Sequence, residues 1–499
     1  MGADSFMWGS ATAAYQCEGA WQDGEKIPSN WDAFCHNKVN DAVTANGDVA
    51  SDHYHRFEED LDMMKAGNQN AYRFSIAWTR IMREDGTPNP EGIAHYSNVI
   101  NACLNRGIEP LVTLYHYDMP DYLLQRGGWE IREIAKSFVT YVNTCFEAFG
   151  DRVKWWVTIN EPGYDTLCSY VAGNYPPNMH DVSRRWRAMY HMLLGSALAV
   201  KQFRSMRERG AIRGDAFIGL VSDSYPIETL SDGPAYSRAM RMADLFWNSC
   251  VNDVCILGQF PQGFFERLQS DGYDLGYRRT EDASTFATGI VDFLGVNAYE
   301  RILVKPPVSD TTLFAHDNSG DTNASREPRT IGGWFTMDED PTVPKNDWGM
   351  EMLPRSIYDL LKELSARYPD TPFVITENGV GWHEVPDADG RVHDDYRIEY
   401  LKGYVHWIDK ARAEGVDVRG YFVWSSLDLY SWINGYAKRY GLRQGVCKDR
   451  KGQLVLVSRH DCKEGLAWTK SLPSSESASH PLPTVWQRTA ISGQSKARS

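Results

Sequence analysis

The sequence lacks the features of a membrane-bound or exported protein. No run of about 18 apolar residues occurs in its 499 residues, so no transmembrane helix is predicted. The opening stretch, MGADSFMWGS, has neither the basic nor the apolar segment of a signal peptide. The nine cysteines are irregularly spaced and form no C-x-x-C pair, which is typical of buried thiols in a reducing compartment. These absences predict a cytoplasmic protein with no membrane partner.

Positive charge is also scarce. The chain has 52 Lys and Arg against 66 Asp and Glu, a formal net charge of −14 at pH 7, and no long basic stripe. Such a composition disfavours non-specific binding to nucleic acid, so we expect no nucleic-acid partner. Any anionic ligand would need a local cationic pocket.

Short apolar runs recur along the chain and predict eight strands. They span residues 6–12, 70–78, 110–116, 153–160, 216–223, 292–299, 372–378 and 418–426. Near-continuous apolar character suits strands that are buried on both faces of a parallel sheet. Between them the apolar period changes to that of a helix, as in EGIAHYSNVINACLNRG. Eightfold alternation predicts a single (β/α)8 barrel with long connecting loops. A doubly wound open sheet is the alternative, but GSATAAYQCEG is not the Gly-rich fingerprint it would favour.

Two segments lack this periodicity. Residues 300–350 are rich in Pro, Asp, Thr and Gly, which predicts a long loop beside the site or a partly disordered segment. Towards the end, SLPSSESASHPLP is biased towards Ser and Pro. We therefore expect a catalytic barrel over residues 1–445 and an atypical, poorly ordered tail over 446–499.

Two of the predicted strands end in glutamate. Glu161 follows WWVTIN at the end of the fourth strand, and Glu377 lies in FVITEN at the end of the seventh. Active sites of such barrels lie at the carboxyl ends of the strands, and glycosidic cleavage needs two carboxyl groups across a pocket. Glu-Pro and Glu-Asn-Gly also occur in ordinary turns. Two such ends in one barrel favour a catalytic pair.

Six sequence blocks resemble those of a known family. In chain order they are FMWGSATAAYQCEGA, YRFSIAWTRI, LYHYDMP, TINEP, DFLGVNAY and ITENG. From about Phe6 to Leu442 the chain therefore resembles glycoside hydrolase family one. This resemblance implies a (β/α)8 barrel and retaining hydrolysis of β-glycosides through a covalent intermediate, with no cofactor and no metal.

The resemblance also implies roles for single residues. Glu161 would be the general acid/base and Glu377 the nucleophile. Catalytic support is implied for Arg73 and Tyr299 beside the nucleophile, and for Asn160 as a donor to the sugar 2-hydroxyl. Substrate binding is implied for Gln16, His116, Asn297, Trp424 and Trp432. Tyr117 stands where the family usually has Trp, which keeps an aromatic wall but blurs specificity there.

The segment SWINGYAKRYG departs from the plain β-glucosidases of that family, which have Glu at the position of Ser431. Ser431, Lys438 and Tyr440 match the S-x6-K-x-Y pattern of its 6-phospho-β-glycosidases. Lys supplies a positive charge and the two hydroxyls supply neutral donors for a phosphate that is close to a dianion. A carboxylate at position 431 would repel this phosphate. The alternative is a solvated basic turn.

These observations predict a 6-phospho-β-glycosidase acting on phosphorylated disaccharides or other small β-glycosides. By resemblance, Trp432 accompanies phospho-galactosidases, so the prediction leans to 6-phospho-β-galactosides. Two alternatives stay open, an ordinary β-glucosidase or β-galactosidase and a non-catalytic sugar-phosphate sensor. After Leu442 the sequence no longer matches the family, so the last barrel helix is expected to be replaced or missing.

Overall fold

A closed barrel of eight parallel strands forms the centre of the molecule. The computed structural model describes residues 6–37, 45–315, 329–385, 388, 392–442, 447–448 and 454–455. The barrel strands, β1 to β8 in chain order, are Met7–Ala11, Ala71–Ser75, Glu109–Thr113, Trp155–Asn160, Phe217–Asp223, Phe293–Asn297, Phe373–Asn378 and Val418–Trp424. Each strand pairs with the next along the chain, and β1 pairs with β8 to close the ring. The predicted (β/α)8 barrel is confirmed; seven of the eight predicted strands contain an observed strand, and the third overlaps one that begins one residue earlier, at Glu109.

Helices alternate with the strands and cover the outside of the barrel. The longer ones are His53–Ala66, Pro90–Asn105, Glu133–Phe149, Val182–Glu208, Pro234–Asp244, Cys250–Leu257, Arg355–Arg367 and Asp395–Ala413. Shorter helical segments lie at Ala14–Cys17, Asn30–His36, Trp78–Ile81, Asp121–Gln125, Gly128–Glu130, Pro162–Tyr170, Leu245–Ser249, Phe264–Ser270 and Asp282–Thr288. Within the described ranges, none of these helices combines the length and the apolar character that a bilayer crossing demands.

The amino-terminal end of the barrel is filled by aromatic rings. Trp155 stacks on Phe217 with ring centroids 4.8 Å apart and meets Phe293 edge-on at 5.2 Å. Gly219 leaves space for one of these rings, since a Cβ atom there would lie 2.6 Å from Phe293. Barrel interiors are packed cores rather than pores. The barrel is therefore closed at this end, and only its opposite, carboxyl-terminal end can be open to a ligand.

A small second sheet lies among the connecting loops. Its strands are Ile227–Glu228, Ile302–Lys305, Thr330–Ile331 and Phe335–Met337. Arg301 ties the surrounding loops together through ion pairs of 2.7 Å to Glu228, 3.1 Å to Asp340 and 2.8 Å to Glu351. The described part of the 300–350 segment is therefore an ordered loop with strands of its own, while residues 316–328 lie outside the described ones.

Most of the predicted tail lies outside the described residues, and so does the region where a last barrel helix would follow β8. In the described part after Leu442, Cys447–Lys448 and Leu454–Val455 pair as a two-stranded antiparallel sheet. The predictions of a poorly ordered tail and of an altered last helix stay predictions.

Candidate active site

A cleft of about 210 Å³ opens at the carboxyl ends of the strands. It is lined by ten of the residues singled out from the sequence, Gln16, His116, Glu161, Tyr299, Glu377, Trp424, Ser431, Trp432, Lys438 and Tyr440. The other three, Arg73, Asn160 and Asn297, lie directly beneath and hydrogen bond to the two glutamates or to each other. The fold thus brings all thirteen together, although they are spread over more than 400 positions of sequence.

Two donors contact the carboxyl group of Glu377. Arg73 Nη1 donates to Glu377 Oε1 at 2.6 Å, and Tyr299 Oη donates to Glu377 Oε2 at 2.8 Å. Arg73 is fully buried, so its charge is screened little by solvent. The two contacts fix the orientation of both carboxyl oxygens. A carboxylate held in this way is suited to attack an electrophilic carbon.

Glu161 has a different environment at the junction between β4 and the helix Pro162–Tyr170. Its backbone adopts the left-handed conformation, with φ 44° and ψ 62°. Tyr117 Oη donates to Oε2, and Asn297 Nδ2 donates to Oε1 at 2.6 Å. Burial, followed by the neighbouring charges of Glu377 and Asp223, raises the pKa of Glu161 well above its ordinary value. A carboxyl group of this kind can keep its proton near neutral pH and deliver it.

A chain of hydrogen bonds connects the two glutamates through the floor of the cleft. Asn297 Nδ2, which binds Glu161, also lies 3.3 Å from Asn160 Oδ1. Asn160 Oδ1 accepts from Arg73 Nη2 at 2.6 Å, and Arg73 in turn binds Glu377. Thr376 Oγ1 fixes the Asn297 amide by donating to its Oδ1 at 2.7 Å. Side chains on four barrel strands therefore connect the two carboxyl groups, while Tyr117 and Tyr299, each just beyond a strand, contact one carboxyl group each.

His116 and Gln16 keep polar atoms available at the wall of the cleft. Burial, with a contribution from Arg73, lowers the pKa of His116 well below its ordinary value, so the ring is neutral. Asn160 Nδ2 donates to His116 Nε2 at 3.4 Å, which leaves the proton on Nδ1. Among the described residues, neither His116 Nδ1 nor Gln16 Oε1 has a hydrogen-bond partner. Buried polar atoms usually have partners, and sugar hydroxyls would supply them.

Two tryptophans supply apolar surface. Trp424, at the end of β8, lies parallel to the His116 ring at 5.8 Å between centroids. Trp432 is clamped by Trp31 at 4.3 Å and stacks on Tyr15 at 5.8 Å, so its orientation is fixed by packing. Flat rigid rings of this kind suit the apolar faces of a sugar.

The segment after β8 folds into a tight turn that faces the same cleft. Ser431 and Gly435 exchange backbone hydrogen bonds of 2.7 and 2.8 Å. Lys438 is buried, with Nζ 5.3 Å from the Trp348 ring centre and 5.2 Å from that of Tyr440. Gly381 leaves room for the lysine, because a Cβ atom there would lie 2.6 Å from Lys438 Cε. This is a buried, packed lysine rather than one on a solvated turn.

The neighbouring Arg439 has a structural environment. Its Nη1 atom lies 3.2 Å from Asp428 Oδ2, and the other oxygen of Asp428 accepts from the backbone N–H of Gly441 at 2.8 Å. Backbone hydrogen bonds between Arg439 and Trp382, of 3.0 and 3.2 Å, anchor the strand-like segment that carries it. Arg439 does not line the cleft, unlike Lys438 on one side and Tyr440 on the other.

Several residues of the cleft escaped sequence reasoning. They are Tyr164, Tyr175, Tyr225, Glu300, Arg329, Trp348 and Met350. Most come from loops without periodicity, where nothing in the sequence indicates which side chain turns inward. Asp223, which acts on Glu161 from nearby, could have been found from the sequence, because it is a polar residue at the end of the fifth predicted strand. In the portion of the chain that the structure describes, no group of three or more His, Cys, Asp or Glu side chains could hold a metal ion.

The chain is similar in sequence and fold to several known proteins. The sequence profile of glycosyl hydrolase family 1 matches residues 3–451. The aryl-phospho-β-D-glucosidase BglC of Bacillus subtilis is 37% identical over 438 residues, which cover 87% of this chain and 90% of that protein. The 6-phospho-β-galactosidase of Clostridium acetobutylicum is 34% identical over 447 residues, covering 88% and 91%. The solved β-glucosidase of Thermotoga maritima in complex with glucoimidazole superposes with a TM-score of 0.81 at 34% identity, covering 94% and 98%.

Proposed function

Because the chain belongs to glycosyl hydrolase family 1, the retaining β-glycosidases, we propose that its substrates are 6-phospho-β-glycosides. The observation that carries this proposal is the position of Ser431, Lys438 and Tyr440. All three line the cleft that also contains Glu161 and Glu377. A hexose bound over the two glutamates would direct its 6-position towards a cation and two hydroxyls.

In this proposal Glu377 is the nucleophile and Glu161 the general acid/base. Glu377 attacks the anomeric carbon, the bond to the leaving oxygen breaks, and Glu161 gives that oxygen its proton. In the second step Glu161 takes a proton from water, whose oxygen attacks the anomeric carbon and releases Glu377. The raised pKa of Glu161 fits the first step, because the group must hold its proton until the bond breaks.

The remaining contacts follow from the same arrangement. Arg73 and Tyr299 orient the carboxyl group of Glu377. Asn160, with its Oδ1 occupied by Arg73, would donate to the sugar 2-hydroxyl in place of its long 3.4 Å contact to His116 Nε2, and hydrogen bonds to this hydroxyl strengthen in the transition state. Further contacts to the sugar come from Gln16, His116, Trp424 and Trp432, whereas Asn297, which was predicted to bind substrate, does not line the cleft and acts through its hydrogen bond to Glu161.

The phosphate subsite is supported by charge and by size. Lys438 contributes a full positive charge in a buried setting, where an ion pair is stronger than in water. Ser431 contributes a small neutral hydroxyl donor and leaves space that a longer side chain would fill. Arg329 adds a second cation to the cleft, since its charge acts on the half-buried carboxyl of Glu300 beside Lys438. Together these groups offset the local effect of a chain with net charge −14.

The proposal also covers the epimer and the location. Trp432 is the reason to favour galactose 6-phosphate, while one relative is named for a glucoside and another for a galactoside. A cytoplasmic location fits because the charge on a phosphorylated sugar keeps it from crossing a membrane.

The test compares nitrophenyl β-galactoside 6-phosphate and β-glucoside 6-phosphate with their unphosphorylated forms. We expect kcat/KM to be at least about a hundredfold higher for one or both phosphorylated substrates, since charge-assisted contacts to an ion are the strong ones. Equal or higher kcat/KM on the plain sugars would refute the proposal. The two kinds of substrate are compared at the same pH, so a pH dependence that both kinds share leaves the proposal unaffected.

An ordinary β-glucosidase is the second candidate. Glu300 favours it, because a half-buried carboxyl beside Lys438 could serve as the partner of that lysine in place of a phosphate. The same comparison of substrates separates the two functions.

A further inference from the structure

Tyr117 contacts Glu161, and the proposed mechanism above assigns no role to this tyrosine. It follows His116 after β3 and is buried in the cleft wall. Its hydroxyl donates to Glu161 Oε2. The Tyr117 hydroxyl oxygen itself accepts a hydrogen bond from Asn160 Nδ2 at 3.2 Å. Because Asn160 occupies the acceptor side of the phenol, its one proton is directed at Glu161.

The backbone of Tyr117 is held in a costly conformation. Its φ is 73°, in the left-handed region that bulky residues rarely adopt, and Glu161 also has a positive φ of 44°. Two side-chain contacts fix the turn, because Asn30 Nδ2 donates to Tyr117 O at 3.0 Å and Asn30 Oδ1 accepts from Met119 N at 3.1 Å. Such strain persists only where surrounding contacts enforce it. The two positive φ angles orient the side chains of Tyr117 and Glu161 towards each other.

We propose that Tyr117 is a positioning residue that fixes the orientation and the protonation of the Glu161 carboxyl group. This inference rests on the proposed role of Glu161 as general acid/base. The phenol is a permanent donor, since burial and then the charge of Glu161 raise the pKa of Tyr117 well above its ordinary value. Tyr117 thereby keeps the second carboxyl oxygen occupied, which leaves the proton of Glu161 for the leaving group.

The groups that face Glu161 act in opposite directions. Burial, Glu377 and Asp223 raise the pKa of Glu161, while the hydrogen bonds from Tyr117 and Asn297 lower it. Asp223 is itself buried, with a pKa raised to about 7 chiefly by burial. Removing the Tyr117 hydroxyl leaves the raising influences in place. The pKa of Glu161 should therefore increase in that variant.

The test is the pH profile of kcat/KM for Tyr117→Phe. We expect its basic limb to move up by about one to two pH units, because a hydrogen bond to a charged group is lost. Activity on substrates with poor leaving groups should fall about ten- to a hundredfold, while activated leaving groups should lose less than about threefold, since they depart without a proton. Site-specific 3-fluorotyrosine at position 117 is a stronger donor and should move the limb down.

Tyr115→Phe is the matched control. Tyr115 is a buried tyrosine two residues away whose hydroxyl donates to Asp165 at 3.4 Å and does not line the cleft. Its basic limb should match that of the wild type. An unshifted limb in Tyr117→Phe, or a shift in the same direction for phenylalanine and fluorotyrosine, would overturn the inference. Because fluorotyrosine preserves the packing of the ring, it still gives an answer if the phenylalanine variant fails to fold.

Glu161→Gln separates this inference from the role assigned to Glu161. If Glu161 is the general acid, its variant loses activity steeply with poor leaving groups, and adding Tyr117→Phe costs little more. A Glu161→Gln variant without leaving-group dependence would refute the role itself. Normal leaving-group dependence together with a fully additive double variant would refute only the inference about Tyr117.

Discussion

Replacing Lys438 with methionine should remove activity on phosphorylated substrates alone. Methionine is close to lysine in length and is apolar, so it can fill the space that Gly381 leaves for the lysine stem. One unit of charge about 4 Å from another is worth about 4 kcal/mol at the effective dielectric constant of a partly buried site. Allowing for the loss of hydration of both ions, we expect a net cost of about 2–4 kcal/mol, or roughly 30- to 1,000-fold in kcat/KM.

The assay is steady-state hydrolysis of nitrophenyl glycosides with and without the 6-phosphate. On the plain sugar, Lys438→Met should change kcat/KM by less than about threefold, because the 6-hydroxyl of that sugar carries no charge for Lys438 to pair with. Arg439→Met is the matched control, since Arg439 pairs with Asp428 and does not line the cleft. That variant should lose stability without changing the ratio between the two substrates. Equal losses on both substrates for Lys438→Met, or a changed ratio for Arg439→Met, would refute the reasoning.

Three further predictions follow from charges and contacts of the cleft. Glu300→Gln removes a carboxyl beside Lys438 and Arg329, so kcat/KM for phosphorylated substrates should rise about three- to thirtyfold; an equal rise on plain sugars would contradict this. Gly381→Ala places a Cβ against the Lys438 stem and should cost about five- to twentyfold on phosphorylated substrates only, as measured by the same assay. Glu161→Gln should unfold at the same denaturant concentration as the wild type below the ordinary glutamate pKa, but gain at least about 1 kcal/mol above it. The sign follows because the folded-state pKa is raised, so the wild type loses stability as pH rises towards that value; parallel pH dependence of both proteins would contradict it.

The barrel and the two glutamates at its strand ends were predictable because buried strands leave a strong apolar pattern in the sequence. Strands covered on both faces must be apolar almost throughout, as in β4 and β7, and a polar residue at the end of such a run marks the edge of the sheet. Glu161 and Glu377 stand out for this reason. Asp223 ends β5 in the same way, and its burial beside Glu161 could have been anticipated from that position.

The walls of the cleft were less predictable, because their residues depend on loop conformation. Trp348 and Arg329 come from the aperiodic segment between β6 and β7, where no repeat fixes the direction of a side chain. The contact between Tyr117 and Glu161 depends on two positive φ angles that neither residue type favours. Gly381 matters through the side chain it lacks, and only the position of Lys438 reveals why.

Mechanism-based labelling tests the central claim most directly. A 2-deoxy-2-fluoro-β-galactosyl fluoride 6-phosphate, or its glucosyl analogue, should trap the covalent intermediate, because the 2-fluorine slows both steps while the fluoride leaving group keeps the first step fast. Peptide mapping by mass spectrometry should find the label on Glu377, and inactivation should be much faster than with the unphosphorylated reagent. A label on any residue other than Glu377, or equal inactivation rates for the phosphorylated and plain reagents, would contradict the account.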